Sequence, residues 1–217
     1  MSVRIRLPDP EGSRAFLLGT ATHGSDESPD LPAVANNLED LRAVLTSPLG
    51  SFAAGHCDVL LDPPDLIPFF DGLNRRAAEA TDTLLIYFAG HGPHSMRDRL
   101  RELVHASPAT NKIVIVDGGI ARELDVESCC LLASAPADAN PQAPAPPGMR
   151  NTAFTGALLG LLRHGIPAAG PLLSVGALGD ELRRSAHRQG LPLPGQRSHG
   201  TAAHIALARN LAAPVTA

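Results

Sequence analysis

The sequence predicts an α/β fold: a three-layer sandwich whose sheet has about six mostly parallel strands, with helices on both faces. Three observations predict it. Residues 82–90, Asp-Thr-Leu-Leu-Ile-Tyr-Phe-Ala-Gly, and residues 112–116, Lys-Ile-Val-Ile-Val, are apolar almost without interruption, the pattern of strands buried on both faces at the centre of a parallel sheet. Around them lie segments with apolar residues at helical spacing, and such alternation of strand and helix builds βαβ units with right-handed crossovers. Finally, 217 residues are enough for one sizeable core without requiring a second domain.

In chain order, residues 1–13 are polar and punctuated by proline, an arm leading into a first strand at 13–20. Val34, Leu38, Leu41, Val44 and Leu45 recur at helical spacing over 31–45, and Pro48 with Gly50 ends that helix. A short strand at 57–61 stops at Asp62-Pro63-Pro64. Asp65 is placed to cap a helix over 65–80, with Ile67, Phe70, Leu73 and Ala77 on its buried face. After the central strand comes a helix over 96–106, then the strand 112–116, which ends on Asp117-Gly118-Gly119. Residues 129–134 read as a fifth strand, and the proline-rich 135–148 as a loop. Residues 152–156 open an apolar helix over 157–163. A helix over 175–188 carries Arg183, Arg184 and Arg188 near its carboxyl end, where cations suit the helix dipole. A proline-rich turn at 191–196 leads to a last strand at 202–208. The domain is bounded at 14–210, with 211–217 as a tail.

A net charge of -4 leaves no basic footprint, so nucleic acid is not an expected partner. No apolar run reaches membrane-spanning length, and the amino terminus lacks the apolar core of a signal peptide. Three cysteines, two of them adjacent, make no disulfide framework, and a reducing, cytoplasmic setting is expected. Lys112 is the one lysine among 18 cationic residues, a bias expected of a GC-rich bacterial genome. The histidines show no metal-ligand spacing with cysteines or carboxylates, so neither a metal nor a cofactor is assigned.

Chemistry is expected where the central strands end. His91 follows the longest apolar run and sits between Gly90 and Gly92; the carboxyl ends of strands are where open α/β sheets place ligands, and glycines let backbone come close to them. Together with Asp117-Gly118-Gly119 and Leu131-Leu132-Ala133-Ser134-Ala135, this arrangement resembles the caspase and metacaspase superfamily, and is most similar to small bacterial effector-associated caspase-like domains. The resemblance runs through Arg6-Leu7-Pro8-Asp9-Pro10, Asn36-Asn37-Leu38-Glu39-Asp40-Leu41, Tyr87-Phe88-Ala89-Gly90-His91-Gly92, Thr152-Ala153-Phe154-Thr155-Gly156 and Ala206-Leu207-Ala208-Arg209-Asn210. It implies cysteine endopeptidase chemistry, in which a thiolate attacks the scissile carbonyl, a histidine moves the proton and backbone N–H groups hold the oxyanion. On that pattern His91 is the catalytic histidine, Gly92 and residue 119 donate to the oxyanion, and Asp117 and Asp138 select arginine or lysine before the cut.

At the decisive position the chain departs from that pattern. The family's nucleophile lies two residues beyond the aspartate that ends the fourth strand, and here that residue is Gly119, which carries none. His91 and Gly119 are 28 positions apart, against roughly 50 between the caspase histidine and cysteine, so the connection that would line a substrate cleft is cut to one helix. Cys129, Cys130 and Cys57 begin strands, at the end of a parallel sheet opposite His91, and read as small buried residues rather than substitutes. The leading expectation is a caspase-like pseudo-peptidase acting by binding a protein or peptide, as regulator or scaffold in a bacterial defence or conflict pathway. The alternatives are a peptidase cleaving after Arg or Lys whose cysteine was replaced at Gly119, and a small-ligand module using Gly118 and Gly119 as a phosphate cradle, for which no Gly-x-Gly-x-x-Gly or Walker lysine is present. By resemblance, the last strand is a candidate homodimer edge.

Overall fold

The computed structural model describes residues 4–21, 31–63, 66–90, 94–118, 128–134 and 148–214. Five strands, β1 (Arg14–Thr20), β2 (Cys57–Leu61), β3 (Thr83–Gly90), β4 (Asn111–Asp117) and β5 (Cys130–Ala133), run parallel. With the antiparallel β7 (Gly195–Arg197) they form a six-stranded sheet in the order β2-β1-β3-β4-β5-β7. The helices are α1 (Ala33–Leu45), α2 (Leu66–Ala77), α3 (His94–Ala106), α4 (Ala153–His164) and α5 (Val175–Arg188).

The strands' two-residue period distributes their side chains between two cores. Leu17, Leu85, Tyr87, Ile113, Ile115 and Leu132 pack under α1, α4 and α5, while Phe16, Leu84, Ile86, Phe88, Val114 and Leu131 pack under α2 and α3. Every residue of β3 is buried, as the unbroken apolar run predicts for a strand covered on both faces. The chain winds outward from β1 to β2 through α1, then returns to β3 on the far side of β1, which puts α2 on the opposite face. The strand order therefore reverses between β1 and β3, and the crevice beyond their carboxyl ends, at Thr20 and Gly90, is the switch point where such sheets bind ligands.

The amino-terminal arm is part of the structure. Asp82, just before β3, accepts from the guanidinium of Arg6, from the Asp9 N–H at 2.8 Å and from the Ser13 hydroxyl at 3.3 Å, and Arg6 also bridges to Ile205. Burial pushes the Asp82 carboxyl up, but the Arg6 and Asp9 hydrogen bonds outweigh it and hold the group below its ordinary range.

Toward the end of the chain several elements differ from expectation, among them β6 (Leu172–Ser174), a strand not expected from the sequence. The strand expected at 202–208 is a 3-10 turn over Ala202–His204 followed by β8 (Ala206–Arg209), and β8 pairs antiparallel with β6 (Leu172–Ser174) in a separate two-stranded sheet. The last strand thus does not border the main sheet. That place belongs to β7, which overlaps the end of the segment 191–196 read as a turn. Three residues, Gly-Gln-Arg, bracketed by Pro194 and a polar run, carry no apolar alternation, so their pairing with β5 has no local signal. Helix α4 also begins at Ala153, earlier than its apolar run suggests.

Candidate functional site

The site is built where β4 ends. Ala89 of β3 lies in register with Asp117 of β4, so the aspartate reaches the crevice beside the switch point. His91, Gly92, Gly119 and Asp138 lie outside the described residues; Asp117 and Gly118 lie within them. Backbones close tightly here. A Cβ on Gly118 would collide with the Gly90 carbonyl oxygen, and one on Gly90, whose φ is +110°, would collide with the Thr20 carbonyl. Neither position tolerates a side chain without moving backbone.

Asp117 is the hub of a polar network whose members come from five elements or their ends. The Thr152 hydroxyl and, at 2.6 Å, the Thr155 hydroxyl both donate to its Oδ2, and Ser134 and the Thr155 N–H donate to the carboxylate as well. Because Thr155 spends its one hydroxyl proton on Asp117, it must accept from Tyr87, whose hydroxyl is 2.8 Å away. The Asn37 amide of α1 donates to Thr152 Oγ1 at 2.9 Å and accepts the Thr152 N–H at 3.3 Å, and it also hydrogen-bonds the Tyr87 hydroxyl. Tyr87, Asn37 and Thr155 are fully buried. Burial, reinforced by Asp117, pushes the Tyr87 phenol well up, so it stays a donor. Burial also pushes the Asp117 carboxyl above its ordinary value, with the hydroxyl donors opposing.

The network sits at the start of α4. Thr152 occupies the N-cap position but makes no capping bond with its own side chain; its hydroxyl is turned to Asp117 instead. The acceptor a helix start needs is supplied by the strand, since Asp117 takes the Thr155 N–H and puts a carboxyl group where the helix dipole favours negative charge. A second cluster fastens the residues just before α4 to α1. Arg150 pairs with Asp40 at 3.0 Å and Glu39 at 2.6 Å, Asn151 donates to Asp40 at 3.0 Å, and Asn36 donates to the Arg150 carbonyl at 2.9 Å. Burial pushes the Asp40 carboxyl up, but the Arg150 and Asn151 hydrogen bonds prevail and hold it below its usual range.

The three thiols are remote from this crevice. Cys130 is in register with Ile113, near the start of β4, and Cys57 with Ala15, near the start of β1. All three are buried and none is in a disulfide. Burial pushes Cys57 and Cys129 up to about 11 and Cys130 upward in the same direction, which leaves them as thiols rather than thiolates at neutral pH. Among the described residues no group of His, Cys, Asp and Glu could hold a metal ion, and no helix is long and apolar enough to cross a membrane.

Sequence reasoning placed Asp117 at this strand end but not its partners. Tyr87 and Asn37 did carry a signal: Tyr87 is the only tyrosine in the chain and sits in an otherwise apolar strand, and Asn37 falls on the buried face of α1. A buried hydroxyl or amide must find a partner, so both residues pointed to a polar network before its members could be named.

No protein-family profile matches the chain, and no curated protein matches it. Solved structures do. The structure of pro-sf-caspase-1 superposes with a TM-score of 0.57 at 13% identity, covering 91% of this chain and 95% of that one. The crystal structure of caspase-1 from Spodoptera frugiperda gives 0.54 at 12% identity, covering 91% and 90%. Over nearly its whole length, the chain has a caspase-like fold.

Proposed function

We propose that this caspase-like domain is a pseudo-peptidase, one that binds a protein or peptide without cleaving it and serves as a regulator or scaffold in a bacterial defence or conflict pathway. The observation that carries the reading is the exit of β4. Covalent peptide cleavage needs an activated thiol two residues beyond Asp117, and the sequence there is Gly118-Gly119. Gly118 packs against the Gly90 carbonyl too closely for any side chain, so the backbone around the lost nucleophile is itself built on glycine. That favours an old loss over a single recent replacement. The described thiols are protonated, buried and at the far ends of their strands, so none substitutes. The fold costs little to keep without catalysis, because its stability lies in the buried strands.

Asp117 is the residue that a basic substrate side chain would seek. Its carboxylate already receives four protein donors, and an arginine entering there must displace some of them. In this proposal Asp117 anchors α4, and His91 has no thiol to assist.

Fluorogenic peptides with Arg, Lys or Asp at the cut, offered to the protein and to its Gly119→Cys variant, test the reading. The expected result is no cleavage by either, with circular dichroism showing both folded. Turnover by the unmodified chain would refute the proposal; turnover by Gly119→Cys alone would establish an intact cleft and favour the peptidase whose nucleophile was replaced.

A further inference from the structure

The open edge of the main sheet at β2 is, we propose, a self-association surface, through which two copies of the chain pair antiparallel about a two-fold axis at Val59. This inference stands apart from the β4 site and does not depend on the pseudo-peptidase reading.

Among the described residues, strand β2 is outermost in the sheet. The Asp62 N–H bonds the Gly19 carbonyl at 2.9 Å, with Gly19 in register with Leu61. In a parallel ladder the bonding direction alternates along the strand. Asp58 and Leu60 therefore face β1 as Asp62 does, and the N–H and C=O groups of Cys57, Val59 and Leu61 point to the open side. Such an edge is a template for another strand. Proteins that must stay apart blunt it with lysine, proline or charge. Here Val59 is 42% exposed and Leu61 40%, and no charged side chain shares their face of the strand.

Beside those two residues runs a groove of about 570 Å³ between β2 and α1, lined by Leu38, Glu39, Arg42, Cys57, Val59 and Leu61 among others. Asp58 turns the other way and pairs with Arg76 of α2 at 3.0 Å, and Leu60 packs into the α2–α3 core. An added strand would lay its own alternate side chains along the groove.

The features favour a second copy as occupant. The outward groups are symmetric about Val59, so a two-fold axis there pairs Val59 with its mate and Cys57 with Leu61 twice, giving roughly six inter-chain hydrogen bonds with no outward group left over. On the helix above, Glu39 and Arg42 lie one turn apart at the groove rim. Both are exposed; Glu39 already pairs with Arg150 at 2.6 Å, whereas Arg42 has no carboxylate partner among the described residues. A two-fold axis reverses the helix and brings each Arg42 toward the other copy's Glu39, whose carboxylate can accept it beside Arg150, the self-complementarity that an isologous interface requires.

Sedimentation velocity on the full chain over a hundredfold concentration range should show a reversible monomer–dimer equilibrium. Val59→Lys, at an exposed position, should weaken dimerisation by roughly tenfold or more by setting like charges opposite each other. A short bismaleimide should link two copies of Val59→Cys, because the opposed Cβ atoms of a hydrogen-bonded antiparallel pair stand about 5.5 Å apart, beyond the Cβ reach of a direct disulfide but within that of the reagent, and the native thiols are buried. Arg42→Glu should weaken the dimer by facing the other copy's Glu39, and Arg42→Lys, which keeps the charge, should leave it largely intact. A wild-type chain that stays monomeric throughout would overturn the proposal, as would a dimer indifferent to Val59→Lys or to Arg42→Glu, or a Val59→Cys protein that does not crosslink.

Discussion

Replacing Asp117 by asparagine tests whether this residue anchors α4. The substitution preserves shape but leaves one acceptor oxygen and an amide that donates. Four groups now donate to the carboxylate: the hydroxyls of Thr152, Thr155 and Ser134 and the Thr155 N–H. At least one donor must then face the amide, and an unmatched buried polar group costs about 1–3 kcal/mol. Losing negative charge at the start of α4 adds about 0.3–1 kcal/mol, while relief from burying a charge offsets part of the total. The net expectation is a loss of about 2 kcal/mol, or roughly 4–8 °C in Tm for a chain of this size. Urea unfolding of the two proteins across pH supplies the assay. Because the folded pKa of Asp117 is raised, its titration contributes stability that is fully present below the unfolded value of about 3.9 and is lost as pH rises through the raised folded value. The stability advantage of the wild type over Asp117→Asn should therefore shrink from acid toward neutral pH. A variant as stable as the wild type at every pH, or an advantage that grows with pH, would refute the reasoning.

Tyr87→Phe should cost about 1–2 kcal/mol, since it strips Thr155 and Asn37 of a buried partner, and a double-mutant cycle with Thr155→Val should show coupling. Gly118→Ala should destabilise by about 1–3 kcal/mol or more, because its Cβ meets the Gly90 carbonyl rather than a movable side chain; denaturant titration reads this directly. A thiol reagent at neutral pH should leave Cys57, Cys129 and Cys130 unmodified until the protein unfolds, and prompt reaction of the native protein would contradict their placement. Asp82→Asn should release the amino-terminal arm to limited proteolysis. The folded pKa of Asp82 is lowered, so the stability it contributes is present above the unfolded value and is lost as pH falls through the folded one, the opposite sign to Asp117.

The central sheet was legible because β3 and β4 are apolar on both faces, a pattern that leaves few alternatives to burial. Helix α1 was legible because Val34, Leu38, Leu41 and Leu45 keep helical spacing. β7 escaped because its three residues are held by hydrogen bonds to β5 and by nothing in their own composition. The end of β4 was found from Asp117 following an apolar run, yet its role depends on residues 37, 87, 134, 152 and 155, which only the fold brings together. Polar networks of this kind have no period in sequence; they are fixed by tertiary distance. Cys57 and Cys130 were placed correctly at the starts of strands, because parallel connectivity alone decides which end of the sheet a strand's first residue occupies.

The borrowed cap of α4 bears on how the chain folds. The Thr152 side chain does not cap its own helix; the group that does is 35 residues earlier, in a strand that must first find its place between β3 and β5. Closing that loop costs chain entropy before the contact repays it. The first turn of α4 is therefore expected to consolidate late, after the sheet has assembled, while the later turns, with Leu158, Leu159 and Leu162 buried, can condense on the core sooner. A helix nucleated from its carboxyl half and completed at its start reverses the usual dependence on a local N-cap, and phi-values at Thr155 and Leu162 should differ accordingly, low at the first and higher at the second.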